Sequence, residues 1–277
     1  MNYRHAFHAG NFADVVKHVA LVAVLQHLKK KEKGFRVIDS HAGRGLYALQ
    51  DDEAKRTGEA GHGIGRLRDL ALAGLPSSLA TYLECVRAEG EGVYPGSPRL
   101  AARLLRPQDR LIAIEKHPLE AAGLARALNA FVHAKPVCAD GYARLPALLP
   151  PPERRGAILI DPPYEAPDEF RQAAGLLAEA CRRFATGIYL LWFPIKSRAV
   201  ADAFCGELLT RVVAHAVRID IDVGGGDGKL HAAGLLVVNP PYGFGEEMRD
   251  VAAALAPHLG EMPDRAAHIA IGEIGVR

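Results

Sequence analysis

The chain has 277 residues, 49% of them apolar and 24% charged, with a formal net charge of +2. That suits one large globular domain, or one domain carrying an insertion, and the modest charge is weak evidence for a nucleic-acid partner. No apolar run approaches the roughly 18–20 residues of a membrane span, and the N-terminus lacks the apolar core of a signal peptide, so a cytoplasmic protein is expected. Cys85, Cys138, Cys181 and Cys205 lie far apart with no CxxC pair, which reads as reduced thiols and neither a disulfide framework nor a zinc site.

Taken in chain order, Asn11–Lys30 has the pattern of a helix. Its basic tail, QHLKKKEK (26–33), reads as a solvated helix end with lysines near the negative pole of the dipole, with direct phosphate contact as the alternative. FRVIDSHAG (35–43) is a first strand running into Asp39-Ser-His41-Ala-Gly43-Arg-Gly45. Glycines after an acid let the backbone turn tightly and approach a ligand, although this is not the GxGxxG of a pyrophosphate cradle. More than sixty residues then pass without a convincing strand. RLRDLALAGLP and SSLATYLECVRAE read as short amphipathic helices, placing a small helical insertion at about 50–95 within a single domain spanning 1–277. VYPGSPRLAARLL holds a turn and a helix beginning near Pro98.

RLIAIEK (110–116), KPVCAD (135–140), GAILIDPPY (156–164) and GIYLLWFPI (187–195) are further strands, separated by helical stretches such as 118–129 and 169–183. Strands alternating with helices imply a parallel sheet covered on both faces. VRIDIDV (217–223) and AGLLVVNPP (233–241) have only a Gly-rich turn between them and should form an antiparallel hairpin. Five βα units and a hairpin predict seven strands.

Ligands of open α/β sheets bind at the carboxyl ends of strands, near the switch in strand order. Four successive strand ends here carry chemistry: Asp39 to Gly43, then Glu115, then Asp140-Gly141, then Asp161-Pro162-Pro163-Tyr164. Glu115 is placed to accept both hydroxyls of a ribose. Asp140 with a free backbone N–H is placed to read an adenine amino edge. Each feature alone is ambiguous; the ordered set is far more specific.

That order resembles an S-adenosylmethionine-dependent methyltransferase of the amino-group type. YRHAFHAGNFADVVKH, DSHAGRG, YPGSP, AIEKHP, ADG, RRGAILIDPPYE and RFATGIYLLWFPI resemble, more closely, the bacterial 23S ribosomal RNA adenine-N6 methyltransferases. The resemblance runs nearly end to end, with little contributed after about 245. It implies a Rossmann-like class I methyltransferase fold, a seven-stranded sheet with a small helical insertion after the first strand. It implies S-adenosyl-L-methionine as cofactor, 23S ribosomal RNA as partner, and a monomer with no stable protein partner. By this resemblance His18, His41, Ser97, Glu115, Asp140 and Gly141 match cofactor positions, and Lys17, Asp39 and Gly43 are candidates beside them. Asp161 matches the catalytic acceptor, with Pro162 and Tyr164, and Tyr3 and Arg4 are expected near the RNA with Tyr164. Ser40-His41 departs from the commoner Asp-x-Phe, so His41 stands where an aromatic wall is usual. No metal is expected, because the spacing of His5, His8 and His18 matches no closed zinc site.

The chemistry explains the fourth motif. The exocyclic amine of adenine is a poor nucleophile because its lone pair is delocalised into the ring. The Asp161 carboxylate and the Pro162 carbonyl are two acceptors able to hold its two hydrogens and localise that pair. The prolines fix the turn, and Tyr164 offers a ring on which an extruded base can stack. A carboxylate is a weak base toward a neutral amine, so hydrogen bonding is its more important role. Asn239-Pro-Pro-Tyr242 repeats the pattern, but follows the last strand at an expected sheet edge, so Asp161 is assigned as catalytic and Asn239 as a strand-terminating turn. RNA is usually read through unstacked bases and phosphates. Arg4, Lys29, Lys30, Lys31, Arg66, Arg68, Arg154 and Arg155 are candidate phosphate contacts, though a solvated surface charge is the commoner role for each. Rival readings are methylation of DNA adenine or of a protein glutamine, and a nucleic-acid-binding module without catalysis.

Overall fold

The structure is a computed structural model that describes residues 8–51, 58–212, 215–225, 230–261 and 265–274. Its strands are β1 (Arg36–Asp39), β2 (Leu46–Ala48), β3 (Val93–Pro95), β4 (Arg110–Glu115), β5 (Ala134–Cys138), β6 (Gly156–Ile160), β7 (Ile188–Pro194), β8 (Ala216–Asp222), β9 (Ala232–Val238) and β10 (His268–Ile274). Its α-helices are α1 (Phe12–Lys29), α2 (Glu59–His62), α3 (Ser77–Arg87), α4 (Ser97–Leu104), α5 (Pro118–Leu128), α6 (Gly141–Arg144), α7 (Glu169–Arg183), α8 (Arg198–Arg211) and α9 (Phe244–Leu259).

The central sheet has the order β10-β8-β9-β7-β6-β1-β4-β5. β1 lies between β4 and β6, parallel to both. The chain therefore builds outward on one side of β1 through β4 and β5, then crosses back to build β6 and β7 on the other. That reversal of strand order at β1 opens a crevice at the carboxyl ends of the strands.

α1 begins where the Asn11 side chain accepts the Asp14 N–H (2.9 Å). It is apolar nearly all round, and so belongs inside the molecule: 14 of its 18 residues are buried, including Asp14, Lys17 and His18. It packs against α3 and α4 as well as the sheet, and delivers those three polar side chains to the carboxyl end of the strands.

Four expectations are corrected. The central sheet has eight strands, not seven: β10 runs antiparallel along the whole of β8, from His268 opposite Asp222 to Ile274 opposite Ala216. HIAIGEI is only half-buried, as an outer strand is, and its apolar signal is correspondingly weak. β9 is consequently internal, between β7 and β8, and Asn239 does not lie at a sheet edge. All seven β9 residues are buried, and a strand with two neighbours satisfies their backbone groups on both sides. The stretch between β1 and β4 does contain strands, since β2 and β3 pair as a separate two-stranded sheet. Within that stretch RLRDLALAGLP is not a helix beyond a 3₁₀ turn at Ile64–Arg66. The Arg87 guanidinium serves the carbonyls of Arg68 (2.7 Å) and Leu70 (2.5 Å), which a helix would have satisfied internally.

Candidate active site

Four loops at the carboxyl ends of β1, β4, β5 and β6 border a cleft of about 370 Å³, a volume suited to a small organic ligand. His41, Gly43, Ser97, Glu115, Asp140, Gly141, Asp161 and Lys17 all line it. Asp39 lies beneath its wall, 1% exposed, and accepts hydrogen bonds from Ser97 Oγ (2.6 Å) and His41 N–H (3.3 Å). Burial pushes the Asp39 carboxyl up to about 7, against the Ser97 hydrogen bond. His18 is also behind the cleft: its ring stacks on Tyr94 and its Nδ1 lies 2.7 Å from the Tyr94 hydroxyl. Tyr3, Arg4 and His5 lie outside the described residues.

The β1 loop is built on close backbone approach. Ser40 Oγ donates to the Leu159 carbonyl (3.0 Å), and with its one proton so used it accepts from His41 Nδ1 (2.8 Å). This arrangement makes Nε2 the acceptor of the His41 ring. Burial holds His41 down at about 4, so the ring is neutral. Its edge meets Tyr142, with ring centroids 5.0 Å apart. A Cβ on Gly141 would sit 2.0 Å from the Ser40 carbonyl oxygen, so only glycine lets these two loops meet. At Gly43, φ is +60° and a Cβ would lie 2.1 Å from the Tyr47 hydroxyl.

The acids are oriented before any ligand arrives. Glu115 accepts from Gly43 N–H (2.9 Å) and His117 N–H (2.7 Å), which fixes both oxygens at the cleft edge. Asp140 caps α6 by accepting from Tyr142 N–H (2.9 Å), and Lys116 Nζ stands 2.7 Å from its other oxygen. Burial alone would raise the Asp140 carboxyl, but Lys116 and the backbone N–H groups of Ala143 and Tyr142 together outweigh it and the net shift is downward. The cleft thus offers paired acceptors at Glu115, an acid beside a backbone N–H at Asp140-Gly141, and a neutral ring at His41. That donor and acceptor set fits the ribose and adenine of an adenosyl group.

At the opposite end Lys17 Nζ bridges Asp14 (2.7 Å) and Asp161, to which it makes a short ion pair. Burial disfavours the ammonium, yet the two carboxylates overcome it and hold the Lys17 pKa above its ordinary value. Pro162 is buried and Pro163 faces the cleft. Tyr164 adopts φ +52°, a left-handed conformation uncommon outside glycine. Its hydroxyl donates to the Trp192 carbonyl (2.8 Å), and its ring centroid is 4.6 Å from that of Phe170, tilted, and 5.7 Å from that of Trp192, edge to face; Pro162 and Tyr164 stand beside the cleft and are not among the residues that line it.

The look-alike motif is at the other pole. β9 is antiparallel to β7 and ends opposite Tyr189, near the start of that strand. Asn239 Nδ2 donates to the carbonyls of Ala185 and Gly187, both at 2.8 Å, and Tyr242 points into solvent. Asn239 is a brace for the turn before β7, far from the cleft.

Sequence reasoning missed Tyr47, Lys116, Tyr142 and Glu169 on the cleft wall. Lys116 and Tyr142 follow Glu115 and Asp140-Gly141 so closely that the same strand ends could have found them; Tyr47 and Glu169 carry no local signal. Arg66 is engaged with the carbonyls of His258 (3.2 Å) and Gly260, and Arg68 with that of Gly90. Among the described residues no cluster of His, Cys, Asp and Glu is arranged to hold a metal ion, and no helix is long and apolar enough to cross a membrane.

Comparison with known proteins points the same way. Residues 32–269 match the family described as ribosomal RNA large subunit methyltransferase D, RlmJ. The ribosomal RNA large subunit methyltransferase J of Haemophilus influenzae is 38% identical over 270 residues, covering 94% of each chain. The protein of that name from Escherichia coli is 38% identical over 257 residues, covering 91% of each. A crystal structure of a Legionella pneumophila protein superposes with a TM-score of 0.87 at 33% identity, covering 96% of this chain and 98% of that one.

Proposed function

The chain belongs to this family of large-subunit ribosomal RNA methyltransferases, and from that membership and the cleft we infer that it transfers a methyl group from S-adenosyl-L-methionine to N6 of an adenine in 23S ribosomal RNA. The observation that carries the reading is the placement of Asp161-Pro-Pro-Tyr164 at the switch point of the sheet, with its acid at one end of the cleft and held there by Lys17.

The bound cofactor supplies an electrophilic methyl group on a sulfonium. Glu115, Asp140 and Gly141 are assigned to its adenosyl part, with His41, Gly43 and Ser97 along the wall between them and Asp161. The remaining work belongs to the chain. Lys17 holds the Asp161 carboxylate in one orientation, so no side-chain freedom is lost when the target base arrives. Asp161 and the Pro162 carbonyl accept the two N6 hydrogens and bias the nitrogen lone pair toward the donor. Orientation of this kind supplies up to about 7–11 kcal/mol in favourable systems. Tyr164, tethered to Trp192, is the stacking surface for the extruded base. After transfer the proton leaves N6, with Asp161 the nearest acceptor. His18 and Asp39 act from behind: Asp39 sets Ser97 and the β1 loop, and His18 packs α1 against Tyr94.

We propose further that the protein acts as a monomer in the cytoplasm, with Tyr3 and Arg4 meeting the RNA. The test incubates labelled S-adenosylmethionine with matched 23S RNA, large subunits, duplex DNA and protein extract, then digests each and identifies the labelled product by mass. N6-methyladenine in RNA alone supports the reading. Label in DNA or glutamine keeps the chemistry and overturns the substrate. Cofactor binding without label anywhere favours a binding module.

A further inference from the structure

α1 links two poles of the molecule. Lys17, at the cleft, and Lys29, at the far end, are separated by about 18 Å along the helix axis at 1.5 Å per residue. At that far end the turn Lys29-Lys30-Lys31-Glu32-Lys33 is tied down from beneath. The Arg106 guanidinium donates to the carbonyls of Lys29 (3.2 Å), Lys31 (3.0 Å) and Lys33 (3.5 Å). Arg155 donates to those of Leu28 (2.9 Å) and Lys33 (2.5 Å), and Gln108 to that of Glu32 (3.3 Å).

This matters for what the lysines do. Lysines at a helix end ordinarily answer the exposed carbonyls and the negative pole of the dipole. Here Arg106 and Arg155 already do both. Lys30, Lys31 and Lys33 are exposed, and among the described residues no acid forms an ion pair with any of the four lysines. Six cations thus share one corner with Glu32 and Asp109, and Asp109 is consumed by Arg106 at 2.9 Å. Crowding is felt locally: burial, followed by Lys30, Arg155 and Lys31, pushes the nearby His27 down. In a chain whose net charge is only +2, such a corner is self-repelling and costs stability until anions reach it.

Taking the RNA substrate proposed above as given, we propose that the Lys29–Lys33 turn is a second RNA-docking surface, gripping the phosphate backbone about 18 Å along α1 from the cleft that receives the target base. The backbone hydrogen bonds from Arg106 and Arg155 make it a fixed platform, so ordering the loop costs little on binding. Its contacts carry no base specificity; they position a structured RNA whose adenine is read elsewhere.

The test compares three proteins binding 23S ribosomal RNA across a salt titration: wild type, the triple variant Lys30→Gln/Lys31→Gln/Lys33→Gln, and a control, Arg182→Gln/Arg211→Gln/Arg249→Gln. The control removes the same charge from exposed positions on α7, α8 and α9. Each phosphate contact contributes about 0.7–0.9 to the slope of log affinity against log salt. The triple variant should therefore flatten that slope by roughly 2 and weaken binding at least about tenfold at 0.1 M salt, while its affinity for S-adenosylmethionine, read by calorimetry, matches wild type. A control that loses as much as the triple variant would reduce the effect to net charge and overturn the site. A triple variant with unchanged affinity and slope, beside a wild type that methylates the RNA, also overturns the docking surface and leaves the function standing. A wild type that neither binds nor methylates the RNA overturns both.

Discussion

Lys17→Met is the most informative single substitution for the architecture of the cleft. Lys17 is 3% exposed, and it lies between Asp14, 2% exposed, and Asp161, of which 13% of the side chain is exposed. Methionine keeps most of the volume and removes the charge, so packing is largely preserved and the electrostatic consequence is isolated. Asp14 would retain the Gly10 N–H at 2.9 Å and the His18 Nε2 at 4.0 Å, but would face Asp161 without the ammonium between them. Removing one partner of a buried pair typically costs about 3–5 kcal/mol, because the remaining charge is left unpaired. That is a large part of the 5–15 kcal/mol that holds a typical domain folded, and it corresponds to a fall in Tm of about 10 °C. Urea unfolding measures the loss, and the double variant Lys17→Met/Asp14→Asn should recover part of it, giving a coupling above about 1 kcal/mol. Methyl transfer should fall in both, since Asp161 has lost its fixed orientation. A Lys17→Met protein within about 1 kcal/mol of wild type would refute the idea that this bridge organises the site.

Three further outcomes are expected. Asp39 is an acid whose folded pKa is raised, so its contribution to stability is present below about pH 4 and is lost as the pH rises through about 7. His41 is a base whose folded pKa is lowered, so its contribution is present above about 6.5 and is lost as the pH falls toward about 4. Asp39→Asn should therefore gain stability relative to wild type as the pH is raised from about 4 to 7, and a difference independent of pH would contradict the assignment. Gly141→Ala forces a methyl to within 2.0 Å of the Ser40 carbonyl oxygen, so calorimetry should find cofactor affinity reduced at least about tenfold; an affinity equal to wild type would mean that the two loops do not meet this closely. Tyr164→Phe removes the 2.8 Å hydrogen bond to the Trp192 carbonyl, with a stability cost of about 1 kcal/mol. It should raise KM for RNA while leaving cofactor affinity unchanged, and a change in cofactor affinity alone would place Tyr164 on the wrong side of the reaction.

Much of this molecule is legible in its sequence because strand ends combine two signals. An apolar run that stops at Asp39, Glu115 or Asp161 announces both a buried strand and a polar group at its carboxyl end, and the parallel topology then brings those ends together. What escaped depends on tertiary context. β10 alternates weakly because solvent reaches it, and its pairing with β8 alone decides that β9 is internal. RLRDLALAGLP has the apolar spacing of a helix, but Arg87 captures its carbonyls. The similar motifs at Asp161 and Asn239 differ in sequence by one atom type and in the fold by a whole sheet length, because β9 runs antiparallel to β7. The tie from Lys17 to Asp161 spans 144 positions and has no local signature.

The central claim is that Asp161, and not its look-alike, performs the transfer. It is tested most directly by measuring single-turnover methylation of 23S RNA by Asp161→Ala and Asn239→Ala side by side. Asp161→Ala should lose methyl transfer while still binding S-adenosylmethionine. Asn239→Ala gives up two 2.8 Å hydrogen bonds to the turn before β7, so it should be less stable, by about 1–3 kcal/mol, yet methylate at most of the wild-type rate below its melting range. The reverse pattern, an active Asp161→Ala and a folded but inactive Asn239→Ala, would contradict the account.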